Sequence, residues 1–168
     1  MLKDHAKIMA LFLQAGEVIG RKKLQKIIYI AKKMDIPFSE RYKFHMFGPY
    51  SDELTLRVEE LCNLGFVDEI KENKGNYYQY RYSLSKEGTR FLELYEYDLP
   101  DSKALVDSLN EQSSRFLELV STLLYFEELS KEEVTEKVFT LKRKQNYSQA
   151  DIDEAYQYIE ALKVITPF

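Results

Sequence analysis

Cysteine, histidine, proline and glycine are all scarce in this sequence of 168 residues, and each shortage closes off a class of function. Cys62 is the only cysteine, which excludes an internal disulfide and any multi-cysteine metal site. A catalytic thiol needs a base to form its thiolate, and only His5 and His45 are present, with no spacing that brings either to Cys62. Cys62 therefore reads as a small, half-buried apolar residue. Four prolines and six glycines are too few for low-complexity linkers. No apolar run approaches the roughly 20 residues that cross a bilayer. Lys3, Asp4 and Lys7 interrupt the start, so no signal-peptide core forms there and a cytoplasmic location is expected. A Gly-rich phosphate loop, a nucleophile elbow and a paired-His helix are also missing. No catalytic, cofactor or metal residue is expected, and the chain does not read as an enzyme.

What is present is patterned. Residues 1–100 hold 16 Lys+Arg against 15 Asp+Glu, and residues 101–168 hold 8 against 13. The net charge of −4 thus belongs to the second part, which argues against that part as a nucleic-acid surface. Ile8, Leu11, Phe12 and Ala15 recur at helical spacing, and so do Leu24, Ile27, Ile28 and Ala31 in a second helix from about Arg21 to Lys33. Arg21, Lys22, Lys23, Lys26, Lys32 and Lys33 make that helix basic on its other side. Two uses are open to this face, a solvated surface or a contact with phosphates.

Residues 41–47 alternate as a strand, with Tyr42, Phe44 and Met46 on one side. Gly48-Pro49 reads as the turn that stops it, and Ser51 as the N-cap of a third helix running to about Leu64. The polar residues of that helix, Asp52, Glu53, Arg57, Glu59 and Glu60, are net acidic. Phe66–Ile70 and Tyr77–Leu84 flank the turn Asn73-Lys74-Gly75-Asn76 as a hairpin. Tyr78, Tyr80 and Tyr82 fall on one of its faces, and Tyr77, Gln79 and Arg81 on the other. Ser85 caps a fourth helix reaching about Tyr97, with Phe91, Leu94 and Tyr95 inward. The order helix, helix, strand, helix, hairpin is that of a winged helix, so the expected fold is α+β. A winged-helix-like domain with a β-hairpin wing occupies residues 1–98, and an all-α domain occupies residues 99–168.

Beyond Leu99-Pro100-Asp101-Ser102 the pattern is helical, as one long helix or as two broken near Asn110. Ser130-Lys-Glu-Glu133 reads as a full capping box, and Ser148 opens a further helix. In residues 116–126 Phe116, Val120, Leu123 and Leu124 form one stripe, while Leu117, Leu119, Tyr125 and Phe126 lie away from it. A helix apolar nearly all round must be covered on several sides. A homodimer is one source of that cover, and the first domain is the other.

Two phrases carry a family resemblance: Lys23-Leu24-Gln25-Lys26-Ile27-Ile28-Tyr29-Ile30-Ala31 and Phe47-Gly48-Pro49-Tyr50-Ser51. In that order and spacing the first 70 residues resemble the Panacea domain, also called the SocA-like antitoxin domain. The chain as a whole is similar to the YwgA-type bacterial proteins. The resemblance implies a non-enzymatic domain that acts by binding another protein, in the manner of an antitoxin or adaptor. Gly48, Pro49 and Ser51 are its structural hallmark. The expected partner-binding residues are Lys23 and Lys26 on the basic helix, Tyr50 beside the turn, and Tyr77 and Arg81 on the wing. The partner is an unknown protein, with no cofactor. The alternative is a winged-helix DNA-binding transcription regulator that uses the basic second helix, and it is disfavoured because four carboxylates on the third helix would repel phosphates.

Overall fold

The computed structural model describes residues 2–168. Helix α1 (Lys3–Ala15) is followed by a two-residue strand β1 (Val18–Ile19) and by α2 (Arg21–Lys33). Strand β1 is too short to show alternation in sequence. It exists because it pairs antiparallel with β5 (Tyr78–Leu84), Val18 opposite Tyr82 and Ile19 opposite Arg81. Strand β4 (Val67–Asn73) pairs along the other edge of β5, giving the order β1-β5-β4.

Between α2 and α3 (Asp52–Asn63) the chain makes a second hairpin, which corrects the expected turn at Gly48-Pro49. Strand β2 is Lys43–His45, the turn is Met46-Phe47, and Gly48–Tyr50 is strand β3. His45 lies opposite Gly48, Phe44 opposite Pro49, and Lys43 opposite Tyr50. Proline is tolerated there because a two-stranded sheet is all edge. Gly48 takes φ +88°, and this bends the chain out of the turn and into the returning strand. Ser51 caps α3 as expected, its Oγ accepting from Leu54 N at 3.1 Å.

The wing is longer than its apolar residues suggested. Beyond Ile70 it continues as a polar ribbon held by cross-strand pairs. Glu72 accepts from Gln79 and Arg81, each at 3.1 Å, and the Lys71 amine lies 4.1 Å from the Tyr78 ring centre. Helix α4 (Lys86–Leu94) stops short of Tyr97, and Leu94 is 89% exposed, not inward. The buried stripe of α4 runs instead through Gly88 and Leu92, with Phe66, Phe91 and Tyr95 stacked beside it.

After Leu99–Ser102 come α5 (Lys103–Glu111), α6 (Ser114–Tyr125), α7 (Lys131–Leu141), a 3-10 turn (Arg143–Gln145) and α8 (Gln149–Ile165). The break between α5 and α6 falls at Gln112-Ser113, where Ser113 caps α6 through Phe116 N. The full capping box is at Ser148–Asp151. At Ser130 the hydroxyl accepts from Glu133 N and donates to the Glu133 carboxylate, and no bond from that carboxylate to the cap's own amide completes a box.

Helix α6 lies at the centre. It packs on α2 and β3 on one side and on α7 and α8 on the other, while α5 packs on α1 and α2. Residues on both sides of Leu99–Ser102 thus share one core, from Ile8 and Ile27 to Val120 and Ile159. The chain itself covers the faces of α6 that suggested a second subunit. Leu117, Leu119, Val120 and Leu123 are each at most 2% exposed. Tyr125 and Phe126 pack on Phe44, with ring centres at 5.2 and 5.1 Å, and Phe116 packs on Tyr158 at 5.3 Å. No helix among the described residues is long and apolar enough to cross a membrane.

Candidate functional site

The two phrases of the sequence meet in space. The Gln25 carboxamide accepts from Ser51 N at 2.8 Å and donates to Ser51 O at 2.9 Å, so one side chain of α2 closes both backbone groups of the α3 cap. One residue on, the Lys26 amine donates to Pro49 O at 2.6 Å. The spacing of the phrases reflects this docking: the first supplies buried polar side chains, and the second supplies a backbone that needs them.

The basic face of α2 is consumed by the same kind of work. Lys26, expected on the surface, is 1% exposed. Lys23 donates to Asn110 O and Lys32 to Glu40 O. Arg21 donates to the Tyr82 hydroxyl at 2.9 Å and pairs with Glu69 at 3.4 Å. Lys22 bridges Glu118 at 3.1 Å, and Lys33 bridges Glu127 at 3.5 Å. All six cations have a protein partner, and three of those partners are backbone carbonyls, at Pro49 in β3, Asn110 in the last turn of α5 and Glu40 in the loop after α2. The helix is basic because it ties the elements around it down.

Glu118 is the residue that sequence reasoning missed. It is 1% exposed on α6, and Lys142, also 1% exposed, bridges it at 3.5 Å while donating to Met46 O at 2.8 Å. The signal was present as the one carboxylate inside the apolar run of residues 116–126. Burial drives Lys26 down to about 7, opposed by the Glu118 charge and reinforced by Lys142 and Lys22. Burial lowers Lys142 too, again opposed by Glu118. Hairpin carbonyls at Met46 and Pro49 are thus held by two lysines gathered round one carboxylate.

The remaining expected residues divide. Tyr50 is half-buried, its hydroxyl 2.7 Å from Thr55 Oγ1 and its ring stacked on that of His45 at 5.0 Å. Arg81 is held between Glu17 and Glu72 across the sheet, and so serves the wing's structure. Tyr77 is 60% exposed at the wing tip beside Tyr78 at 58%. At the other hairpin Met46 is 78% exposed and Phe47 52%. Burial pushes the half-buried Cys62 thiol up to about 11, which keeps it protonated at neutral pH.

Beside Phe47 a cleft of about 290 Å³ opens between α2, β3 and α3. Leu24, Leu54, Val58 and Tyr82 line its apolar part, and Lys22, Lys26 and Tyr50 line it near the hairpin. The Lys22 amine lies 4.4 Å from the Phe47 ring centre.

No protein-family model matches the chain. It is 63% identical over 165 residues to the uncharacterized protein YwgA of Bacillus subtilis (strain 168), across 98% of this chain and 99% of that protein. The chain belongs to the YwgA family.

Proposed function

We propose that the protein is a non-enzymatic, cytoplasmic interaction protein that binds a protein partner through the tip of the β2–β3 hairpin. The observation that carries this reading is the exposure of Met46 and Phe47 on a hairpin whose base is locked by Lys26, Lys142 and Gln25. Rigidly presented apolar side chains are what a protein interface uses as anchors, because little ordering remains to be done on binding. Tyr77 and Tyr78 at the wing tip offer a second contact of the same kind.

The order α1-β1-α2-α3-β4-β5, with β1 on β5, supports a winged-helix reading of the first part, with the β2–β3 hairpin inserted between α2 and α3. The resemblance to Panacea domains supports an antitoxin-like or adaptor-like role in which the partner is another protein. In a DNA-binding winged helix α3 would enter the major groove. Here its exposed residues include Asp52, Leu56, Glu59 and Glu60, and its Arg57 is engaged by Asp4, Glu40 and Glu53. Neither α3 nor the occupied cations of α2 offer the counterion release that drives DNA binding.

Fluorescence anisotropy of a labelled random-sequence duplex separates the two readings. No saturable binding is expected at micromolar protein and physiological salt. Sub-micromolar binding that falls steeply with salt would replace the protein-partner reading with a DNA-binding one.

A further inference from the structure

Three ammonium groups and one carboxylate meet where α2, the β2–β3 hairpin and α6 come together. Lys22 and Lys142 each bridge Glu118. Lys26 differs from both. It is 1% exposed and donates to Pro49 O, yet among the described residues no carboxylate oxygen lies within 4.0 Å of its amine. An ammonium has three donors, and a buried one without an anion is costly. The cluster therefore carries more positive charge than its own residues balance.

Lys26 also lines the cleft of about 290 Å³. The volume is near the lower end for small-molecule sites, which suits a ligand of one ring system or a short chain. Most of the wall's polar groups are already bonded to one another: Gln25 to Thr55, Tyr50 to Thr55, and Arg21 to Tyr82 and Glu69. An apolar body can enter past Leu24, Leu54 and Val58 without stripping these groups of their partners. Glu59 and Glu69 lie on the α3 and β4 side, so an anionic group is repelled from there and drawn to the α2 end.

We propose that this cleft binds a small organic anion, an apolar ring or short chain bearing one carboxylate, with the carboxylate paired to Lys26 and Lys22. The proposal does not depend on the protein-partner reading. It makes binding proton-linked, because the head pairs with the charged form of Lys26. The groups facing Lys26 are Lys22 on its own helix, Glu118 on α6, Lys142 after α7, and Tyr50 on β3. With Lys26 at about 7, the competent fraction falls about tenfold between pH 6 and pH 8, and affinity falls with it.

The test uses the full chain, 2-naphthoate as probe and the neutral 2-naphthamide as control, followed by amide NMR shifts. The expected shifts centre on Leu24, Tyr50, Leu54 and Val58. At pH 6 the acid binds about tenfold tighter than the amide, and its affinity drops about tenfold by pH 8. Lys26→Met narrows the gap between the two compounds to what Lys22 alone supplies and flattens the pH profile. Equal affinities at pH 6, a flat profile in the unaltered protein, shifts centred elsewhere, or no saturable shift at millimolar probe would each overturn the proposal. The acid–amide contrast and the pH profile need no variant, so they decide the matter even if Lys26→Met does not fold.

Discussion

Gln25 and Ser51 are joined through both backbone atoms of the serine, with the carboxamide accepting at 2.8 Å and donating at 2.9 Å. Gln25 is 5% exposed and Ser51 fully buried, so water cannot replace either bond. Gln25→Leu keeps the bulk and leaves the Ser51 amide without its acceptor, while Ser51 O keeps Thr55 N at 3.3 Å. The expected loss is about 1–3 kcal/mol, the cost of leaving one buried donor unsatisfied. Urea unfolding of the variant checks this, and an unchanged midpoint would mean that the α3 cap finds other partners.

Gly48 has room for a methyl group but not the right backbone angle. A Cβ placed there meets Glu118 Cγ at 3.5 Å and Lys26 Cε at 3.6 Å, both ordinary contacts, whereas φ is +88°. Gly48→Ala therefore costs about 1–3 kcal/mol through backbone strain alone. Gly48→Val costs more, because its branch must also enter the space of Glu118, Lys26 and Ser121. Equal stability of Gly, Ala and Val at this position in a denaturation series would contradict the account.

Gly88 is the opposite case, with ordinary φ but no room. A Cβ there falls 2.1 Å from Phe66 O and 2.8 Å from Leu84 Cδ1, so α4 must move off the sheet to admit it. Gly88→Ala should cost about 3 kcal/mol, at the upper end of overpacking. Thermal unfolding measures it, and a melting temperature equal to that of the unaltered protein would show that α4 shifts freely.

The buried amine of Lys26 gives stability a definite pH dependence. Its folded pKa lies at about 7, below the lysine value of 10.5, so between these limits the unfolded chain binds a proton that the folded chain does not. Stability therefore rises with pH from about 7 upward, and the penalty for charging Lys26 is fully present below 7. The contribution appears as a difference. The gap between the unaltered protein and Lys26→Met should change steadily from pH 7 to pH 9 and stay constant from pH 5 to pH 6. Parallel urea-unfolding profiles across pH 7 to 9 would show that Lys26 keeps its charge in the fold.

The sequence was most readable where a long apolar period meets an explicit cap. Helices α1, α2 and α3 follow the spacing of Leu11, Ile27 and Leu54, with Ser51 as the cap of α3. Strand β1 was invisible because its partner Tyr82 is more than 60 residues away and two residues show no period. Gly48-Pro49 misled because the pair signals a turn locally, while the register with Phe44 and His45 makes it a strand. Lys26 misled for a different reason. A lysine among lysines reads as surface, and its burial is decided by Pro49 O and by Glu118 on α6. The exposed tip residues Met46 and Phe47 looked like a continuation of the strand, so the most prominent apolar patch of the hairpin went unnoticed.

Docking of a protein partner through the β2–β3 tip is decided by site-specific photocrosslinking in living cells. A benzophenone amino acid replaces Phe47 in one variant and Leu94 in another, both exposed positions. One discrete protein adduct is expected from position 47 and none from position 94, with the position-47 adduct lost when Met46→Asp is added. Equal labelling from both positions, or no protein adduct from position 47, would contradict it.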